Sequence, residues 1–224
     1  MTEDLEVSGA RYVDLANWPR REVFEFFRDF DKPYFNICMR LDVTELLTFL
    51  RDSGIGGVSL AYHYFALRAA NAIEPFRYRL RGGRVLVHPV IHGGTTVLHP
   101  NESFALAYFE YTEDFEKFAS MAGDAINAAR SGDGVFRPHP NDDMIHFTTL
   151  PWVSFTSMSH ARNWGREDAV PKIAFGKFER QNERDLLPFS VEVHHALMDG
   201  FHMGQYLTLL EELIKTPERY LAPL

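Results

Sequence analysis

The fold is decided by one stretch of the sequence, Val193-His194-His195-Ala196-Leu197-Met198-Asp199-Gly200. The apolar residues that lead into it predict a strand over 187–194, and Asp199-Gly200 predicts a tight turn before a helix over 201–216. His195 would then stand at the end of a rigid strand, where an imidazole that titrates near neutral pH suits a general base. From the chemistry alone, the two histidines are either catalytic or buried groups with satisfied hydrogen bonds.

The rest of the chain alternates irregularly between helical and extended patterns. Helices are predicted over about 17–29, 43–53, 59–73 and 113–129, and strands over 34–41, 76–80, 85–91, 95–99, 103–111, 144–149, 153–158 and 171–180. The pair Gly82-Gly83 lies between two of these strands and predicts a hairpin, because glycine accepts positive φ. We therefore expect an α/β fold, a two-layer sandwich in which helices cover a mixed β-sheet, in a single domain spanning 1–224.

The composition limits the classes of function. The 224 residues are 46% hydrophobic and 24% charged, with a net charge of −8, which disfavours binding to nucleic acid or to an anionic membrane. Phenylalanine is abundant, at 19 residues, and this favours a thick core, a ligand pocket or a subunit interface. The single cysteine excludes an intrachain disulfide. Neither a signal-peptide pattern nor a long apolar run occurs, so we expect a cytoplasmic protein.

Several kinds of site lack support in the sequence. The histidines show no spacing with acidic residues that is typical of a metal site, so no metal is expected. There is no glycine-rich phosphate loop for nucleotide-dependent redox or phosphoryl chemistry. There is also no Gly-x-Ser-x-Gly elbow of the hydrolase type.

The motifs around the histidine pair resemble those of a known family. His194-His195-x-x-x-Asp199-Gly200, followed by Phe201-His202, resembles the signature of the chloramphenicol acetyltransferases. The shorter His-x-x-x-Asp-Gly core is shared with lipoyl-dependent acyltransferases and peptide-synthetase condensation domains. The stretches similar to the chloramphenicol group specifically are Asn-Trp-Pro-Arg-Arg-Glu at 17–22, Leu-Pro-Trp-Val-Ser-Phe-Thr-Ser at 150–157, Gly-Lys-Phe at 176–178 and Leu-Pro-Phe-Ser-Val at 187–191. The likeness covers essentially the whole chain in order.

The resemblance implies roles for residues at the catalytic centre. His195 matches the base that takes the proton from the acceptor hydroxyl, and His194 matches a buried structural neighbour. Asp199 matches an aspartate that pairs with an arginine near the N-terminus; Arg20 fits that position better than Arg21. Thr148 falls where the family usually has a serine that stabilises the oxyanion, and threonine keeps the hydroxyl.

The resemblance also implies which residues line the substrate pockets. The predicted walls of the acceptor pocket are Phe27, Phe35, Phe104, Phe136 and His160. Phe27 lacks the hydroxyl that is common there, and His160 stands where an apolar residue is usual. Ala174 replaces a threonine near both substrates, and Phe178 would stack on the adenine of CoA. Plain core packing stays open for each phenylalanine.

The function implied by the resemblance is acetyl transfer from acetyl-CoA, a co-substrate, to a hydroxyl group, with chloramphenicol as the leading acceptor. No permanently bound cofactor is expected. A homotrimer with its sites at the subunit interfaces is implied, without nucleic-acid or membrane partners. The alternatives are a different hydroxyl acceptor, a lipoyl-type acyltransferase core, and a non-catalytic protein that binds a hydrophobic drug.

Overall fold

Arg184–His194 is the longest of the described strands and leads directly into the histidine pair. The computed structural model describes residues 9–132, 138–163 and 167–222. Its strands are β1 (Arg11–Tyr12), β2 (Tyr34–Asp42), β3 (Tyr78–Arg81), β4 (Arg84–Val87), β5 (His92–Leu98), β6 (Phe104–Phe109), β7 (Met144–Thr149), β8 (Lys172–Phe175), β9 (Glu179–Gln181) and β10 (Arg184–His194). Its α-helices are α1 (Arg21–Phe27), α2 (Thr44–Ser53), α3 (Val58–Ala72), α4 (Phe115–Ser131), α5 (Gly200–Lys215) and α6 (Glu218–Leu221).

The described strands form one large and one small sheet. The seven-stranded sheet has the order β2-β10-β8-β7-β5-β6, with β9 paired to the start of β10. β5 and β8 run parallel to β7, whereas the other neighbours are antiparallel, so the sheet is mixed. The small sheet has the order β1-β4-β3. The predicted two-layer α/β sandwich with a mixed sheet is confirmed.

β10 is buried on both faces because helices cover one face and an irregular segment of the chain covers the other. Its two edges pair with β2 and β8. Successive side chains of a strand point to opposite faces. The odd-numbered residues of 187–193 are fully buried in the core beneath the helices. On the opposite face, Ser190, Glu192 and His194 are also buried. A strand that is covered on both sides has little freedom to shift the histidines at its end.

α3 is the most deeply placed helix. The sequence predicts a buried helix there, and the structure buries nine of its residues on all sides. α2, α4, α5 and α6 contribute the remaining α-helical side chains of the same core. Within the described ranges, no helix is both long and apolar enough to cross a lipid bilayer.

An irregular segment, 150–163, covers the polar face of the sheet. The predicted strand over 153–158 is wrong, because this segment pairs with no strand and contacts the sheet through separate groups. The side chain of Asn36 donates to the carbonyl oxygen of Met158 at 2.7 Å. Nε of Arg162 donates to the carboxylate of Glu192, also at 2.7 Å. The alternation of apolar residues reflects one buried ring, Phe155, rather than a strand.

Three other predicted strands differ in their limits. The strand over 171–180 is divided into β8 and β9 around Gly176, where a Cβ atom would lie 2.9 Å from the carbonyl oxygen of Val153. The strand over 76–80 begins later, since Glu74–Arg77 is a 3-10 turn. The strand over 85–91 ends at Val87, two residues before Pro89. Proline lacks the N–H that a strand in the sheet would need.

The predicted hairpin at Gly82-Gly83 is confirmed. Arg81 pairs with Arg84 across the turn. Gly82 and Gly83 both adopt positive φ, at 57° and 72°. Two consecutive residues in this region form the type of turn whose twist matches that of the flanking strands.

His63 on α3 is an ionisable group enclosed by aromatic rings. Its ring centroid lies 4.7 Å from that of Phe147 and 5.4 Å from that of Phe175. Neither ring nitrogen makes a well-formed hydrogen bond within the described residues. Burial lowers the pKa of His63 to about 4, against a smaller opposing effect of the Ser59 carbonyl. The folded protein therefore holds this imidazole neutral.

We expect the variant His63→Phe to lose part of the acid sensitivity of the fold. Below pH 6.5 the unfolded chain protonates His63 and the folded chain does not, so stability falls by up to about 1.4 kcal/mol per pH unit until the pKa of about 4 is reached. Phenylalanine cannot take up the proton. Urea unfolding at pH 7, 6 and 5 measures the free energy of unfolding of both proteins. As the pH falls, this free energy should decrease less for the variant than for the wild type. Parallel pH dependences would contradict this account.

Candidate active site

The main chain of His195 is fixed from two sides. His195 is the first residue after β10, and its N–H donates to the carbonyl oxygen of Pro33 at 2.6 Å. The carbonyl oxygen of His194 accepts from the N–H groups of Leu197 and Met198, at 3.0 and 3.2 Å, and closes the turn. A paired strand and a hydrogen-bonded turn together position the backbone that carries the imidazole.

The imidazole of His195 lies between two phenylalanine rings. Phe27 of α1 stacks on it with centroids 4.0 Å apart and planes only 6° from parallel. Phe35 of β2 approaches it at 4.8 Å with a tilt of 50°. Nδ1 is buried and has no hydrogen-bond partner among the described residues. Two of the residues predicted for the acceptor pocket therefore contact the residue predicted as the base.

A second hydrophobic cluster anchors the turn that follows His195. Ala196 and Leu197 are almost completely buried. They pack with Phe24 of α1 and with Val85 and Val87 of the small sheet, apart from the main core. The cluster therefore joins the turn to α1, the helix that also carries Phe27.

Arg20 and Asp199 meet, as the sequence analysis expects. An NH group of Arg20 forms an ion pair with Oδ2 of Asp199, and Oδ1 accepts from the N–H of Phe201 at 3.0 Å. Burial alone would raise the pKa of Asp199, but the hydrogen bond and charge of Arg20 lower it below its ordinary value. The carboxylate is therefore ionised at neutral pH. Arg21 pairs instead with Glu25 on the exposed side of α1.

His194 faces inward, on the polar face of the sheet. Its side chain is buried, and its Nδ1 accepts from the N–H of Ala196 at 3.2 Å. Burial is the main cause that lowers the pKa of His194 to about 4, so the imidazole is neutral. This hydrogen bond makes His194 part of the turn and matches the structural role expected for it.

Thr148 lies far from His195 within one chain. The strand pairing places Thr148 level with Ala174, and Ala174 level with Ser190 on β10. His195 lies five residues beyond Ser190 and two strands away from β7. At about 3.3 Å per residue and about 4.8 Å between strands, the backbone separation is roughly 19 Å. A single chain does not bring Thr148 and His195 together.

Two other predicted pocket residues also lie away from the histidine. Phe104 begins β6 at the far edge of the sheet, where its side chain is 46% exposed. His160 belongs to the segment under the polar face, and its Nε2 atom is buried without a partner among the described residues. Burial lowers the pKa of His160, against an opposing effect of Glu192. The fifth predicted wall residue, Phe136, lies outside the described residues.

Phe178, the residue predicted to stack on adenine, lies at the end of the sheet opposite to His195. It precedes β9, which pairs with the start of β10. Its ring is 38% exposed in a surface depression that Trp152, Lys177 and Arg180 also line. Arg180 already pairs with Asp185 at 2.8 Å. Among the described residues, Lys177 has no carboxylate partner, unlike Arg180 in the same depression.

Two groups that help to position the histidine turn are not predicted from the sequence. One is the carbonyl oxygen of Pro33, which accepts from the N–H of His195. A main-chain contact of this kind does not depend on the residue types and so cannot be predicted from them. The other is His202, whose Nδ1 accepts from the N–H of Asp199 at 3.2 Å. The spacing of Asp199 and His202 is that of a helix capping box and could have indicated the contact.

No metal centre was found in the described ranges, in which no group of three histidine, cysteine or acidic side chains is placed to hold an ion. The site offers the chemistry of a half-buried imidazole on a rigid turn. Its neighbours are two aromatic rings and a charged pair that braces the turn.

Sequence comparison relates the whole fold to one group of enzymes. The family model for chloramphenicol acetyltransferase matches residues 10–211. Chloramphenicol acetyltransferase 2 of Escherichia coli is 32% identical over 203 residues, which are 89% of this chain and 94% of that protein. The chloramphenicol acetyltransferase of Streptomyces acrimycini is 32% identical over 208 residues, or 92% and 94% of the two chains.

Comparison with solved structures gives the same group. A chloramphenicol acetyltransferase structure superimposes with a TM-score of 0.83 and 26% identity, covering 92% of this chain and all of that one. The dihydrolipoamide acetyltransferase of Azotobacter vinelandii superimposes with a TM-score of 0.66 and 17% identity over 90% of this chain and 88% of that one. The second likeness shows a common fold alone.

We expect Arg20→Gln to destabilise the protein because it leaves Asp199 without its cation. The two side chains are only 15% and 31% exposed, and an unsatisfied partner of this kind costs about 1–3 kcal/mol. The matched control is Arg21→Gln, which breaks an exposed pair and should leave the free energy of unfolding unchanged. Urea unfolding at pH 7 measures both. Equal stabilities of the two variants would show that the buried pair contributes no more than the exposed one.

Proposed function

The chain belongs to the chloramphenicol acetyltransferase family of acyltransferases, and on that premise we propose that it transfers an acetyl group from acetyl-CoA to a hydroxyl acceptor. The observation that carries the proposal is the fixed imidazole of His195 between Phe27 and Phe35. An imidazole with one restricted orientation is suited to take a proton from a bound hydroxyl.

The proposed reaction is a direct transfer. Because Nδ1 of His195 is buried, Nε2 takes the proton of the acceptor hydroxyl while the oxygen attacks the thioester carbonyl. The tetrahedral intermediate then collapses, the C–S bond breaks, and the CoA thiolate receives the proton from Nε2. The atoms balance without a covalent acyl-enzyme. Arg20 and Asp199 brace the turn and do not exchange protons with the substrates.

Thr148 can stabilise the oxyanion only if it comes from a second copy of the chain. The separation of roughly 19 Å within one chain supports this step, since a hydroxyl donor must lie within about 3 Å of the oxyanion. The family resemblance implies a homotrimer with sites between subunits, and the divided site agrees with it. We therefore propose that His195 of one subunit faces Thr148 of its neighbour, with Phe104, Phe136 and His160 as candidate walls of the acceptor pocket.

Chloramphenicol is the proposed acceptor, since the relatives carry its name and since Phe27 and Phe35 offer an apolar wall to an aromatic alcohol. For the co-substrate, Phe178 is proposed to contact the adenine and Lys177 a phosphate. A cytoplasmic location stays part of the proposal.

We expect His195→Ala to lower the rate of thiol release from acetyl-CoA in the presence of chloramphenicol by about 10²–10⁴-fold, because the base is removed. Release is followed with a thiol reagent, and an unchanged thermal midpoint shows that the variant is folded. Full activity of the variant would contradict the assignment of the base. Release with another alcohol but not with chloramphenicol would keep the mechanism and change the acceptor. Tight drug binding without release would favour the non-catalytic alternative, and transfer to dihydrolipoamide the lipoyl-type one.

We also expect two inactive variants, His195→Ala and Thr148→Ala, to restore activity when they are assembled together. Random 1:1 assembly of a trimer places an intact His195 opposite an intact Thr148 in about one quarter of the sites. The mixture is unfolded in urea, refolded together and compared with each variant refolded alone. Activity no higher than the average of the two parents would show that both residues do not act across a subunit boundary.

A further inference from the structure

His202 is a histidine beside the turn that the proposed mechanism does not use. It is the N3 residue of α5, and Asp199 is the N-cap. Its Nδ1 accepts from the N–H of Asp199, while the carboxylate of Asp199 accepts from the first N–H groups of the helix. The two side chains thus close a reciprocal capping box, in which glutamate or glutamine is the usual N3 residue.

An imidazole in this position behaves differently from glutamine because its Nδ1 accepts a hydrogen bond only when it carries no proton. Nδ1 also lies 3.0 Å from Oδ1 of Asp199. A protonated Nδ1 would donate to this oxygen and release the N–H of Asp199. The box therefore has two arrangements that exclude each other, and the presence or absence of a proton on Nδ1 selects between them; in the imidazolium form Nδ1 always carries one.

Burial of His202 favours the arrangement without the proton at neutral pH. The charged groups that act on it in the described structure are Asp199 and Arg20. Burial is the largest effect on the pKa of His202 and lowers it, Asp199 raises it, and Arg20 lowers it again. The side chain is 16% exposed, so solvent can supply the proton when the pH falls.

We propose that His202 is a positioning residue for the acetyl transfer inferred above: its neutral imidazole holds the N–H of Asp199, and Asp199 holds the turn that carries His195. Protonation of His202 releases this N–H and places an N–H donor against Oδ1 of Asp199, while Arg20 stays on Oδ2. The kinetic consequence rests on the proposed function. The exchange of hydrogen bonds does not depend on it.

The kinetic test compares His202→Asn with His202→Ala. The Oδ1 atom of asparagine occupies nearly the place of Nδ1, accepts from the N–H of Asp199 and takes up no proton. We expect His202→Ala to lower kcat about tenfold with little change in KM, and His202→Asn to keep most of kcat. At acid pH the wild type should lose activity through two ionisations and His202→Asn through one. A wild-type pH profile in His202→Ala, or equal losses of kcat in both variants, would overturn the proposal.

A second measurement needs neither substrate nor variant. In TROSY spectra of the deuterated wild-type protein, the amide of Asp199 should shift with the same midpoint as the ring of His202, and that midpoint should lie below 6.5. An Asp199 amide that does not respond while His202 titrates would overturn the proposal, whatever the enzyme acetylates. Coupled titration without acetyl transfer would instead place the failure in the proposed function.

Discussion

The ion pair between Arg20 and Asp199 is the interaction on which the arrangement of the site depends. It joins residues 179 positions apart and ties the start of α1 to the first turn of α5. α1 carries Phe27 onto the ring of His195, and α5 begins where the histidine turn ends. Without this pair, the buried cluster around Ala196 and Leu197 would still join α1 to the turn, but among the described residues it contains no residue of α5. The imidazole is thus positioned by contacts that lie outside its own strand.

The large sheet supports His195 at the end of one strand, and it also keeps the other predicted site residues away from His195. β10 holds the histidines at one end, whereas Thr148, Phe104 and Phe178 project from other strands or from the opposite end. A rigid sheet cannot fold these groups onto His195. If Thr148 and Phe104 serve the same reaction as His195, they must reach it across a boundary between copies, and the polar face of the sheet then forms part of the contact between copies. In the proposed assembly, the division of the site between chains would follow from strand register rather than from loop movement.

Much of the fold could be predicted from residue patterns. β10, α3 and the Gly82-Gly83 hairpin all have strong local signals, and the paired motif residues Arg20 and Asp199 meet as expected. The strand predicted over 153–158 was wrong because the alternation of Val153 and Phe155 reflects one buried ring, that of Phe155, and not pairing with the sheet. The carbonyl of Pro33 could not be predicted, since main-chain contacts do not depend on side-chain type. The distance between Thr148 and His195 also needs the register of three strands, which the sequence alone does not encode in any local pattern.

In the proposed site, His195 of one chain and Thr148 of another act on the same acetyl transfer. The most direct measurement is a crystal structure of the assembled protein with chloramphenicol and CoA bound. We expect the acceptor hydroxyl within about 2.6–3.2 Å of Nε2 of His195, and the hydroxyl of the neighbouring chain's Thr148 beside the carbonyl oxygen of the reacting thioester. An assembly in which no Thr148 comes near any His195, or in which the drug binds away from the imidazole, would contradict it.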